Sequence, residues 1–202
     1  MDEHIEQLVQ KIKTLDEELH TLLYEQQRKL YKATENGRIE FEKSVRNGHK
    51  QLKVGIFRWL GTSKPSHIIS APFIYGLFIP VVIFDLSITI YHQICFRLYG
   101  IPLVKRSKYI VIDRHRLAYL NMVEKINCIY CEYVNGLIAY SREIASRTEQ
   151  YWCPIKHAHK MIDSHKRYAN FIDYGDAKQY KERAQQVRDA VLTQKNYNNS
   201  AR

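Results

Sequence analysis

The chain has 202 residues, enough for one domain with a sizeable core or for two smaller units. Lys and Arg number 31 against 21 Asp and Glu, a formal net charge of +10 that favours acidic partners, either anionic lipid or nucleic acid. Four cysteines are too few for a disulfide scaffold, and the acidic, amphipathic start MDEHIEQLVQ does not read as a secretory signal peptide.

Residues 1–60 form an expected amphipathic helical region. Ile5, Leu8, Ile12, Leu15, Leu19 and Leu22 alternate spacings of 3 and 4, the a/d seam of a coiled coil, with charged residues filling the other positions. After Leu22 the register slips to Leu23 and Leu30. Residues 5–30 are therefore a candidate surface for self-association or for a partner helix. The stretch 38–60, RIEFEKSVRNGHKQLKVGIFRWL, carries two signals. Asn47-Gly48 between alternating apolar positions suggests a hairpin. Phe41, Val45, Gly48, Leu52, Gly55 and Trp59 suggest a helix, which is the expectation taken here because helical segments flank it.

Residues 66–96 hold the strongest feature. From Ile68 to Ile90 there is one ionisable side chain, Asp85, and no Lys or Arg. About 20 apolar residues cross a bilayer, and here Ile, Val and Phe occupy every face. Pro80, with Gly76 nearby, is expected to kink the segment, either as a bent span or as a re-entrant hairpin. Charge at Asp85 costs about 2.5–3.5 kcal/mol at such depth, so it is a candidate polar site needing a partner or a proton.

Basic residues lie on both sides: Lys50, Lys53, Arg58 and Lys64 before, then Arg97, Lys105, Arg106, Lys108, Arg114 and Arg116 after. The larger C-terminal group places the following domain in the cytoplasm. Residues 1–67 hold 12 basic and 10 acidic side chains, whereas from Tyr91 onward the balance is 19 to 10. Beside an apolar segment this excess points to lipid headgroups rather than nucleic acid.

Residues 97–112 read as a connection with a short apolar run. The basic helical domain expected over 113–195 begins with Asp113 as N-cap and ends in a helix from Asp176 carrying Tyr180, Ala184, Val187 and Val191. A polar tail occupies 196–202.

This domain holds a Cys/His constellation: Cys128-x2-Cys131, then 21 residues, then Cys153-x3-His157. Two short-spaced pairs suit a tetrahedral zinc site. The alternatives are an iron–sulfur cluster on Cys95, Cys128, Cys131 and Cys153, buried structural thiols, and a dithiol redox pair at Cys128 and Cys131. A shared site requires the chain to turn back, because one straight helix would separate Cys131 from Cys153 by about 33 Å. Asn135-Gly136 is the plain break signal in that interval. Catalytic motifs are missing, and Glu124, Glu132, Glu143 and Glu149 read as helix-surface charges.

The run from Tyr91 to His159, with YHQICFRLYGIP, VIDRHRLAYLNMVEKINCIYC and EQYWCPIKHA, resembles an uncharacterised family of small bacterial membrane proteins. The resemblance covers about a third of the chain and implies a bacterial cytoplasmic (inner) membrane setting without an activity. The sequence thus describes a mainly α, membrane-anchored interaction or scaffold protein with a zinc-stabilised cytoplasmic helical domain. The alternatives are a membrane redox protein with an iron–sulfur cluster and a monotopic protein binding anionic lipid.

Overall fold

A computed structural model describes residues 3–28, 32–33, 39–40, 64–193 and scattered positions between 48 and 61. It is mainly helical and divides into two compact units, residues 1–55 with 117–121, and residues 56–116 with 122–202.

In the first unit, α1 (Glu3–Arg28) extends the heptad segment to 26 residues. A two-residue antiparallel ladder follows, β1 (Lys32–Ala33) against β2 (Ile39–Glu40), with Lys32 opposite Glu40. The helix expected from residue 38 is therefore strand at its start, and most of 41–60 lies outside the described residues. The ring of His49 meets Tyr119 edge-on at 5.3 Å.

The second unit begins with the apolar segment. It forms α2 (Pro65–Gly76) and α3 (Phe78–Tyr99), joined through Leu77 in right-handed helical conformation. Pro65 sits in the first turn, where its missing N–H leaves nothing unpaired. Pro80 acts differently. The helical partner of its nitrogen would be the Gly76 carbonyl, so the ladder loses one bond there. Leu77 N still donates to Phe73 O at 3.3 Å and Val81 N to Leu77 O at 3.2 Å, so the helical path resumes at once. The segment runs on in one direction instead of folding back as a hairpin. Over Pro65–Tyr99, 35 residues, it is long and apolar enough to cross a membrane. At 1.5 Å per residue it extends about 52 Å, against roughly 30 Å of bilayer hydrocarbon.

Along α3 the faces divide by packing. Val81, Ile88, Tyr91 and Phe96 turn towards the rest of the unit. Ile79, Ile83, Leu86, Ile90, Ile94 and Leu98 stand out at half exposure or more. Gly100 ends the helix in the left-handed region (φ 70°), and Ile101 N donates back to Phe96 O at 2.9 Å.

The chain then climbs back along α3 through a 3-10 turn at Arg106–Lys108 and another at Arg114–Arg116, before α4 (Met122–Trp152). The α-helix expected from Asp113 thus starts nine residues later, at Met122. Asp113 is followed instead by the 3-10 turn, with Arg116 N donating to Asp113 O at 3.0 Å, while the Asp113 and Arg114 N–H groups donate to the Glu132 carboxylate of α4 (3.3 and 2.9 Å). α4 runs parallel to α3, since Tyr133 reaches Asp85, Tyr140 reaches His92 and Tyr151 stacks on Tyr99. Parallel neighbours cannot be joined by a short turn, which explains the long connection.

α4 is unbroken through Asn135-Gly136. Asn135 donates from its side chain to Cys131 O at 2.8 Å within the helix. Gly136 has no positive φ; it is the contact point for the returning chain. A Cβ there would lie 2.8 Å from both Ile110 Cα and Tyr109 O. The glycine signals close approach, not a turn. The last helix, α5 (Ala177–Leu192), starts as expected: the Asp176 side chain accepts from Gln179 N at 2.8 Å. Ala184, Val187 and Val191 are buried, whereas Tyr180 is exposed. The core joins Phe96, Ile101, Val104, Leu137, Tyr140, Ile144 and Val191.

Gly136→Ala will force backbone out of contact with backbone and lower stability by about 1–3 kcal/mol, read as a drop in thermal midpoint. Asn135→Ala, one residue away and outside that contact, will change the midpoint far less.

A polar core behind the apolar helix

The acid of the apolar helix has a complete set of partners. Arg106 Nη1 donates to Asp85 Oδ1 at 2.5 Å and Nη2 to Oδ2 at 2.6 Å, a planar two-pronged pairing. The Tyr133 hydroxyl adds a bond to Oδ2 at 2.7 Å, and Thr89, one turn along α3, reaches Oδ1 at 3.3 Å. A carboxylate offers about four acceptor sites, and four donors occupy them. Guanidinium suits this place because its fixed fork matches the carboxylate and it sheds water more readily than an ammonium.

Two turns further along α3 lies His92, buried. Val104 N donates to its Nε2 at 2.9 Å, so that nitrogen carries no proton. The ring is then the neutral form protonated on Nδ1, and it donates to the Tyr140 hydroxyl at 3.0 Å. Arg106 also sits 5.7 Å from the centre of the Tyr140 ring, linking the two groups.

A third group closes the far end. Glu143 Oε1 accepts from Arg147 Nε (2.8 Å) and Arg167 Nη2 (2.7 Å). Arg147 continues to the Pro102 carbonyl at 2.6 Å, and Arg167 to Gln150 Oε1 at 3.1 Å. Gln150 in turn donates to Val187 O of α5 at 2.9 Å. Burial pushes the Glu143 carboxyl up, but the guanidinium groups of Arg167 and Arg147 outweigh it and hold it below the ordinary range. Glu132 follows the same pattern: burial raises it, and the N–H groups of Arg114 and Asp113 with the Arg114 guanidinium bring it below. Glu149 holds the His165 ring at 2.9 Å. Glu132, Glu143 and Glu149, expected as helix-surface charges, thus make tertiary contacts. Their spacing along α4 carries no sign of that, because the partners come from other segments.

The Cys/His constellation is not gathered. Cys128 is half-buried and Cys131 exposed on α4, and Cys153 is exposed just beyond its end. Since α4 does not turn at Asn135-Gly136, about 33 Å of helix separates Cys131 from Cys153. His157 stacks on Tyr168 with ring centres 6.1 Å apart, and Cys95 is half-buried on α3. Neither the zinc set nor the four-thiol set is brought together in one chain. Among the described residues no three His, Cys, Asp or Glu side chains are grouped to hold a metal ion.

Comparison with protein-family models, with curated proteins and with solved structures gives no match.

Asp85→Asn leaves Arg106 facing a neutral amide and will cost about 1.5–3 kcal/mol, the range for hydrogen bonds to charged groups. The double change Asp85→Leu/Arg106→Met removes both charges and will recover much of that loss in thermal unfolding. Acid will act on the Glu143 group in a defined direction. A carboxyl held below its unfolded value contributes stability above that value, 4.5, and loses it as pH falls through the folded one. Glu143→Gln will therefore melt lower than the parent at pH 7, and the gap between them will narrow below about pH 4.5.

Proposed function

We propose that this protein is a single-span membrane protein of the bacterial cytoplasmic membrane that works by interaction, holding a basic helical domain at the membrane surface. The observation that carries the reading is the saturated Asp85 carboxylate. An acid that moves protons or ions across a bilayer needs an open acceptor facing a path. Asp85 is instead enclosed by Arg106, Tyr133 and Thr89, which joins the apolar helix to the domain that follows it. Such a joint suits an anchor that fixes the pose of its domain.

The bare apolar face of α3 supports a membrane setting, since it continues from Ile79 to Leu98 with no partner packed on it among the described residues. The heavier basic count after the segment supports a cytoplasmic position for the C-terminal domain.

Full-length protein expressed in bacteria will stay in the membrane pellet through alkaline carbonate washing. Protease added outside spheroplasts will spare a C-terminal tag and cut it once the membrane is permeabilised. Release by carbonate, or cleavage of the tag in intact spheroplasts, overturns the reading.

A further inference from the structure

α1 presents an apolar face that no other described residue covers. Leu8, Ile12, Leu15, Leu19 and Leu22 line one side of the helix and are 47–66% exposed, an arrangement that a lone helix in water does not sustain. We propose that α1 pairs with α1 of a second copy, in parallel and in register, as a two-stranded coiled coil.

Three features select this occupant. The first is the residue type at each seam position. Ile5, Ile12 and Leu19 occupy a, and Leu8, Leu15 and Leu22 occupy d. Two of the three a residues are β-branched and every d residue is Leu, the pattern that favours two parallel strands over trimers or tetramers. Charge supplies the second. In parallel register the g position of one strand faces the e position five residues on in its partner. Here that sets Lys11 against Asp16 of the second copy, twice by symmetry. The third is length. The seam holds six core positions in about two and a half heptads, short for a free peptide, so the pairing gains from a second constraint. Membrane anchoring provides it, because two copies in one bilayer share orientation and a raised effective concentration. That last point rests on the single-span reading; the first two stand without it.

Disulfide trapping in the full-length chain tests the pairing. The four native cysteines are replaced by Ser, and single cysteines are placed at Leu8→Cys, Leu22→Cys and, on the outer f position, Glu17→Cys. Under mild oxidation in membranes, the first two will each form a covalent dimer alone, at least about tenfold faster than the third. Dimers formed only when the Leu8→Cys and Leu22→Cys chains are mixed would overturn the parallel arrangement. Equal rates at all three positions would overturn the seam.

Leu15→Glu in the otherwise native chain is the companion measurement, and it avoids the serine replacements. Sedimentation in detergent will shift from dimer to monomer while helical content holds. An unchanged mass overturns the proposal. Carbonate extraction of the same samples keeps the two readings apart, since trapping can persist in a chain that washes out, and fail in one that stays.

Discussion

A single carboxylate, on a helix whose other charged side chain is Arg97 in the last turn, sets the terms for the second unit. Left to itself, Asp85 would oppose burial of α3 in any apolar medium. Meeting it takes a cation with the right geometry, and the cation comes from Arg106 on the returning chain. To deliver Arg106 there, the chain must reverse at Gly100 and climb alongside α3. That climb brings Pro102 within reach of Arg147, Val104 within reach of His92 and the Tyr109–Ile110 backbone against Gly136. The polar groups are spaced at nearly every turn of the packed face, so α3 and α4 are held by directional bonds as much as by apolar contact. Directional bonds fix rotation and register, which greasy surfaces alone leave loose.

The legible parts of this architecture are those decided by local pattern. The apolar run, its disturbance near Gly76 and Pro80, the extent of the heptad helix and the Asp176 cap all follow from neighbours within a few residues. The structure departs from expectation where distant residues compete for the same groups. Asp113 has the chemistry of a helix cap, yet only a 3-10 turn follows it, its N–H and that of Arg114 tie the connection to Glu132 of α4, and the α-helix waits until Met122. Gly136 has the composition of a turn, yet its use is to let another backbone approach. A glycine in a helical pattern signals either, and choosing between them requires knowing what passes by.

The polar site was legible only in half. Asp85 stood out because an acid is rare in such a stretch, and the need for a partner was clear from charge alone. Which cation would answer was hidden, because six basic residues follow the segment and spacing along an irregular connection carries no geometry. Glu143, Arg147 and Arg167 were harder still, being ordinary residues for an amphipathic helix and a basic loop. The thiols, by contrast, drew notice through their spacing. One uninterrupted helix leaves Cys128 and Cys131 far from Cys153 and His157.

The pairing of Asp85 with Arg106 also has an order in time. The guanidinium lies 21 residues after the acid, so a growing chain completes α3 before its counter-ion has been synthesised. At that stage the carboxylate has Thr89 from its own helix, while Tyr133 and Arg106 are still to come. A helix bound for a bilayer would meet it with this acid held by water or by a proton. The ion pair then forms as the connection emerges and turns back, which makes placement of the anchor and closure of the domain successive stages of one event.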